Sequence, residues 1–475
     1  MKSTVQNISL ISCLILFAGG CKIPGSSFRK ENTTVPSVYN QIADSGNIAK
    51  TNWRNYFNDK NLTALIDTAL KNNQELNITL QEIEISRNEI RARKGEYLPF
   101  AGLNAGAGVE KAGRYTRNGA IERNIDIEPG IAFPEPLHDY MIGAYSSWEL
   151  DVWGRMRNAR KAAVARYLAS VEGRNFMVTN LISEIAVSYY ELMGLDNQLA
   201  IVRRNINIQT DALQTVKQMK EAAKVSQLAV NRFEAQLFNT KTRQYDLLQQ
   251  VIETENRINF LTGRYPQPIA RDSATFFEAG LDSIYAGIPA ELLFNRPDIR
   301  QAERELEASH LDVESARANF YPSFNLRFGL GFQSFKPVYL FKPESMLYTL
   351  AGELAAPLIN RNAIKAAYRS SNAKQIQSVY NYERTILNGY IEVVNQLAKI
   401  SNSNNSYQAK EQEVNILTHS VGISNNLFRS ARADYVEVLL TQREALDSRI
   451  ELIDIKVEQL KAKVNVYKAL GGGWN

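Results

Sequence analysis

Cysteine is almost missing from this chain, with two in 475 residues at positions 13 and 21, so a disulfide-stapled fold is excluded. Long apolar runs are missing too. A membrane helix needs about 20 consecutive apolar residues, and the longest apolar stretch, residues 8–20, falls short of that; with mean hydropathy at -0.30 a bundle of transmembrane helices is ruled out. Histidine is scarce. His138, His310 and His419 lie far apart with no HExxH or Cys/His spacing, which leaves packing or surface roles and no metal site. No nucleophile with an adjacent base and orienting group can be assembled, so neither an enzyme nor a cofactor is expected. Gly471, Gly472 and Gly473 follow a helical pattern instead of opening one, and read as a helix stop, not a phosphate cradle. Charge of one sign is also lacking. Lys plus Arg (55) exceed Asp plus Glu (50) by five, spread along the chain, so nucleic acid finds no electrostatic footprint. Few glycines (26) and prolines (14) argue against disorder and leave room for very long helices.

What is present begins with an export leader. Lys2 and the apolar stretch 8–20 have the charge and length of a signal peptide. Its end, Ala18, Gly19, Gly20 and Cys21, resembles the bacterial lipobox, with Ala18 where Leu is usual. Cys21 is the expected lipidation site, since it would otherwise be an unpaired thiol in an exported protein; a plain secretory signal with a chance cysteine is the alternative. Residues 21–50 are polar, with Pro and Ser, and read as an extended tether. Lys22 after the cysteine, with no Asp there, favours the outer membrane.

Heptads follow. Val178, Leu181, Ile185, Leu192, Leu195, Leu199, Val202, Ile206, Leu213 and Val216 recur at steps of three and four, with Ser188 and Gln209 interrupting. Val436, Leu439, Leu446, Ile450, Ile453, Val457, Leu460, Val464 and Tyr467 form a second seam, broken by Arg443. Further helical patterns cover roughly 58–97, 224–262, 289–319 and 361–430. A 60-residue helix is about 90 Å long, so a rod or tube is expected. Such a seam alone is ordinary packing and would suit any fibrous or adaptor protein.

Four segments switch to period two. Beyond Pro322, Phe324, Leu326, Phe328, Leu330 and Phe332 share one face, against Ser323, Asn325, Arg327, Gly329, Gly331 and Gln333. Beyond Pro99 the apolar parity is Ala101, Leu103, Ala105, Ala107 and Val109. A third segment has Tyr140, Ile142, Ala144, Trp148, Leu150 and Val152, and a fourth Met346, Tyr348, Leu350, Leu354 and Ala356. Each is long enough to cross a bilayer when tilted, with the apolar-out, polar-in pattern of a membrane barrel; a half-buried soluble sheet is the other reading. Four strands cannot close a transmembrane barrel, whose minimum is about eight, so several chains must share one.

The order helix, strand, strand, helix, helix occurs twice. Pro99 and Pro322 each end a helix and open a strand. Residues 149–163 and 353–367 share eight identities without a gap, where unrelated segments share about one. The first strand-strand loop is the longer and holds Pro129, Pro134 and Pro136; it is expected to face outward.

These features resemble the TolC-type outer membrane efflux proteins, and within them the lipoprotein branch that serves resistance-nodulation-division pumps. The local motifs are Trp53 with Asn72 and Asn73, the run WELDVWGR at 148–155, NRPDIRQAE at 295–303 and VYKALGGGW at 466–474. The resemblance covers about residues 51–474. It implies a mainly α chain with a membrane β-barrel portion, built from a duplicated helix-strand-strand-helix repeat. By the same resemblance a homotrimer forms a 12-stranded outer-membrane barrel on a long periplasmic α-helical barrel. The expected division is leader 1–20, tether 21–50, first repeat 51–263 with strands near 98–112 and 138–153, equatorial linker 264–288, and second repeat 289–475 with strands near 322–336 and 344–358. The implied partners are a periplasmic adaptor, an inner-membrane resistance-nodulation-division transporter and outer-membrane lipid.

The resemblance also implies a gate. In relatives the helix after the last hairpin carries a leucine and, four residues on, an aspartate lining the constriction; here these places hold Val436 and Leu440. The missing carboxylate implies a constriction that is mostly apolar and closes by dewetting. Asp434 and Glu437 are the candidates for negative potential, with solvated helix-start carboxylates as the ordinary alternative. Function is therefore expected to be a passive exit duct of a tripartite pump for drugs or other toxic solutes. A non-conducting coiled-coil lipoprotein and the outlet of a protein-secretion system are the alternatives.

Overall fold

The computed structural model describes residues 25, 28–39, 46–278, 285–430 and 432–474; the leader and Cys21 lie outside these. The chain forms two compact units, and each draws on both halves of the sequence: one from residues up to 30, 84–168 and 304–380, the other from 31–83, 169–303 and 381–475.

The first unit holds a four-stranded antiparallel sheet. Its strands are β1 (Phe100–Glu110), β2 (Leu137–Leu150), β3 (Ser323–Ser334) and β4 (Met346–Ala355), in spatial order β1-β2-β3-β4. Strands β2 and β3 are neighbours although a long helical excursion separates them in the chain. Their register pairs Ile142 with Phe332 and Leu150 with Phe324. Glycines make that junction close: a Cβ on Gly331 would sit 2.6 Å from the Ile142 carbonyl oxygen. The β1-β2 connection contains a short helix, Arg117–Asn124, and a small hairpin, Asp126–Glu128 with Ile131–Ala132. Beneath the sheet, alanines set the helix spacing. Ala162 and Ala165 of α3 (Arg155–Glu221) meet Ala308 of α5 (Pro297–Ala318), all buried, while Val313, Phe320 and Tyr368 form a second small core.

The second unit is helical. Helix α1 (Lys60–Asn72) starts where the Asp59 carboxylate accepts from the N–H groups of Asn61 and Leu62. It buries Leu62, Leu65, Ile66 and Ala69, one face of a 3.6-residue repeat. The expected single helix over 58–97 is broken at Asn73, whose buried side chain accepts from Leu76 N–H at 2.9 Å to start α2 (Gln74–Glu96) and donates to the Leu261 carbonyl at 2.9 Å. Helix α4 (Gln227–Leu261) follows α3, and α7 (Tyr435–Ala469) follows α6 (Asn362–Arg429). The pattern expected to begin near 289 yields a regular helix only from Pro297, after short turns at Pro289–Glu291 and Leu292–Asn295.

Both seams are buried along most of their length. Ile185, Leu192, Val202 and Val216 on α3, and Ile453, Leu460, Val464 and Tyr467 on α7, are almost fully covered. Ser188 and Gln209, the polar interruptions, are buried in line with their apolar neighbours, whereas Arg443 is exposed. In the 264–288 segment a 3-10 turn, Ser273–Phe277, drops Phe276 into the main core. Among the described residues no helix is long and apolar enough to cross a membrane.

Candidate functional site: the sheet and the helical hairpins

The sheet register carries the sequence parity across all four strands. Directly opposed residues share a face, and the pairs run Leu103 to Ala144, Ala144 to Leu330 and Leu330 to Tyr348. The next row runs Ala101, Ser146, Phe328, Leu350. Phe324, Leu326, Phe328, Leu330 and Phe332 therefore lie on one face with Leu103, Ile142, Trp148, Tyr348 and Leu354. Much of this face is open: Leu103, Tyr348 and Leu350 are each at least three-quarters exposed. The other face holds Asn104, Asn325, Arg327 and Glu353, with an Arg327 to Glu353 ion pair at 3.4 Å and Gln333 donating to Asp139. One apolar face and one polar face make the division a barrel wall needs between lipid and water. The outer edges of β1 and β4 have no strand beside them among the described residues.

The strand feet are fixed by the WELDVWGR run. Trp148 donates its indole N–H to the Tyr97 carbonyl at 2.9 Å, and Trp153 donates to the Pro322 carbonyl at 2.8 Å while stacking on Tyr321. The Asp151 carboxylate accepts from the N–H groups of Met156 and Arg157, capping α3. An extended chain lies on the helices below. The Gly25 carbonyl accepts from the Tyr368 hydroxyl at 2.8 Å, the Arg29 carbonyl accepts from Gln375, and the Arg29 guanidinium sits 3.8 Å over the Tyr380 ring.

In the helical unit, two hairpins pack together. The first, between α3 and α4 at residues 222–226, was not singled out in the sequence, because no Pro or Gly marks it; Ala223 takes a positive φ of 53° there. Ser226 then caps α4. The second turns between α6 and α7. Leu213, Val216, Ala229, Val230, Phe233 and Leu237 of the first hairpin enclose Val438 of the second. Val436 and Leu440 sit a helical turn apart on another face of α7, Val436 half-buried and Leu440 exposed. Asp434 is the α7 N-cap with no side-chain cap bond, and Glu437 is exposed in the first turn.

Two charge clusters hold this unit and went unforeseen. Arg296 is nearly buried; its guanidinium makes a bidentate pair with Asp298, and donates to Glu392 at 2.8 Å and to the Ala469 carbonyl at 2.7 Å. Burial works against its charge, but the two carboxylates outweigh it and hold the guanidinium protonated more firmly than usual. Gly471, at φ +88°, passes so close that a Cβ would lie 2.5 Å from the Asn295 carbonyl oxygen, and Trp474 donates to that oxygen. Thus the NRPDIR and KALGGGW runs are two halves of one joint. In the second cluster Arg271 bridges Asp196 and Glu255 at 2.6 Å each. Burial pushes the Asp196 carboxyl up, yet hydrogen bonds from Arg271 and Ser273 outweigh it and bring it below the usual carboxylate range. Among the described residues no group of three His, Cys, Asp or Glu side chains is arranged to hold a metal.

A four-stranded sheet with one apolar and one polar face, in a chain whose helices reach 67 and 68 residues, is the combination expected of an outer-membrane duct. The profile of the family described as "Outer membrane efflux protein" matches residues 65–264 and 288–472, and the chain belongs to that family. It is similar to the probable outer membrane lipoprotein SilC of Salmonella typhimurium, 25% identical over 469 residues and 98% of both chains. It is also similar to the toluene efflux pump outer membrane protein TtgF of Pseudomonas putida, 28% identical over 428 residues, 90% of this chain and 86% of the relative. The fold matches the Campylobacter jejuni CmeC outer membrane channel with a TM-score of 0.84 at 18% identity, over 95% of each chain. The protein is an outer-membrane efflux channel of the Gram-negative type, the exit duct of an efflux pump, and its family is one of channels, which are not enzymes.

Proposed function

We propose that three copies of this chain close one 12-stranded barrel in the outer membrane. Their helices would continue it as a hollow periplasmic α-barrel, so that the duct passively conducts solutes delivered by an adaptor and an inner-membrane resistance-nodulation-division transporter. The observation that carries this is the single apolar face across four strands whose two edges have no strand beside them among the described residues. Open edges are not tolerated in lipid, and four strands fall below the minimum of about eight for closure. A non-conducting spacer has no use for such a face. Residues 51–263 and 289–475 act as the two copies of a duplicated unit joined by 264–288.

Cys21 is the proposed acyl anchor. It lies four positions before Gly25, which is held by Tyr368, so an extended chain keeps the lipid within about 14 Å of the Gly25 site. Tyr368 follows the start of α6 by two turns and packs with Phe320 near the foot of β3, a depth that suits the inner leaflet. Val436 and Leu440 are the proposed constriction, with Asp434 and Glu437 at its rim. Relatives named for toluene and for cation efflux are similarly distant from this chain, at 28% and 25% identity, which supports placing cargo choice in the pump and not in the duct wall.

The test is direct. Full-length protein in detergent should give a protein mass of three chains by light scattering, and planar bilayers containing it should show conductance that rises when the constriction is widened. A monomeric mass would end this reading, and a trimer that never conducts would favour the spacer. Passage of folded polypeptide would favour the secretion outlet.

A further inference from the structure

Helices α4 and α6 of the helical unit each carry a stripe of exposed apolar side chains. On α4 these are Phe238, Tyr245 and Ile252, each more than half exposed and spaced by sevens. On α6 they are Ile416 and Ile423, also seven apart, with the small Ala409 exposed one heptad before. A stripe at this spacing is a coiled-coil seam waiting for a second helix.

The heights of the two stripes follow from cross-bundle contacts. Arg243 of α4 reaches Asp447 of α7 at 2.7 Å, and Arg449 of α7 reaches Thr418 of α6 at 2.9 Å. Helices α4 and α7 both run away from the hairpin turns, and α6 runs toward them. These ties put Phe238, Tyr245 and Ile252 level with positions 425, 418 and 411 of α6, within two residues, or about 3 Å of helical rise, of Ile423, Ile416 and Ala409, three layers in a row. A ring of copies about an axis along the helices uses a heterologous contact, one flank of each copy against the opposite flank of the next. Closure without a helical rise requires the two flanks to match in height, and these match to within about 3 Å. Sizes match too, a large side chain facing a medium one at two levels and a medium one facing the smallest at the third. Charge agrees at the hairpin end. Glu234, a turn before Phe238, falls within two residues of the level of Arg429, and neither forms an ion pair within the chain among the described residues.

We infer that the occupant of each stripe is a second copy of this chain: Phe238, Tyr245 and Ile252 of one protomer pack against Ile423, Ile416 and Ala409 of its neighbour. This rests on the proposed trimer and names the helical contact that would hold it. The experiment coexpresses two differently tagged full-length chains, one with Tyr245→Cys and one with Ile416→Cys, and oxidises them in membranes. A disulfide-linked band carrying both tags is expected, at least tenfold stronger than for Tyr245→Cys with Ile423→Cys, which is one heptad out of register with that pair. In parallel, Tyr245→Ala should leave the monomer folded by circular dichroism while lowering the temperature at which the assembly separates. A trimer by mass in which the level pair links no better than the offset pair overturns this seam and leaves the trimer standing. A monomer by mass, with neither pair linking, overturns both.

Discussion

The Arg296 guanidinium donates to the carbonyl of Ala469, in the last turn of α7 and 173 residues further along the chain, at 2.7 Å. A cation there meets the unsatisfied carbonyls and negative end of the helix dipole, and Asp298 and Glu392 complete its partners. Arg296→Ala leaves the partly buried Asp298 and Glu392 without their cation and the Ala469 carbonyl without its donor, so a loss of about 1–3 kcal/mol is expected. Arg296→Lys should recover part of it, because an ammonium lacks the fork that pairs with Asp298. Gly471→Ala attacks the same joint from the other side, through its positive φ and the Asn295 contact. Thermal unfolding followed by circular dichroism checks all three. The Arg296→Ala, Gly471→Ala double variant should lose less than the two singles together, since they break one unit; full additivity would refute a shared joint.

Charge on the apolar sheet face should block insertion. Phe328 sits mid-strand on β3, opposite Ser146 and Leu350, and arginine at a barrel's lipid face near the midplane costs about 2–4 kcal/mol. Phe328→Arg is expected to reduce the folded fraction in liposomes, read as heat-modifiable mobility on gels. Gly329→Ser, on the opposite face with Thr349 as its nearest neighbour at 3.9 Å, should insert normally. Equal behaviour of the two variants would reverse the assignment of the faces.

The period-two parity and the heptad seams were readable because both are local: a strand or helix repeats its burial every two or 3.6 residues whatever lies opposite. Phe324 to Phe332 and Ile185 to Val216 could be placed on that ground alone. Pairing of β2 with β3 could not, since the Ile142 to Phe332 register joins residues with a helical excursion between them and nothing local encodes it. The break between the seam ending at Val216 and the pattern from 224 was visible, but the turn residues 222–226 were not, because Ala223 takes a positive φ without the glycine that usually marks one. Arg296 was visible only as part of a motif. Its role depends on Ala469 and Glu392, and side-chain partners brought together by tertiary packing leave no spacing to count.

The Asp196 cluster predicts an acid limb in stability. A carboxyl whose folded pKa lies below its unfolded value of about 3.9 adds stability that is complete above the unfolded value and is lost as pH falls through the folded one. Asp196→Asn removes that contribution while leaving Arg271 its bond to Glu255. The difference in unfolding midpoint between wild type and variant should therefore be constant above about pH 5 and shrink below about pH 4. A difference that grows on acidification would reverse the sign and exclude this cluster as its source.

The constriction assignment makes an electrical prediction. Val436 and Leu440 share a face of α7 away from Val438, which is locked between the hairpins by Val216 and Phe233. A substitution at Leu440 thus changes an exposed surface without emptying the core that positions the turn. An apolar ring conducts poorly when narrow because water leaves it, whereas carboxylates keep it wet and favour cations. Leu440→Asp should raise single-channel conductance in planar bilayers and shift the reversal potential in a salt gradient toward cation preference. Leu440→Asn should restore wetting without the ion preference, which separates dewetting from charge. If Leu440→Asp left both conductance and reversal potential at wild-type values, Leu440 would not line the narrowest point, and Asp434 and Glu437 would become the next positions to neutralise.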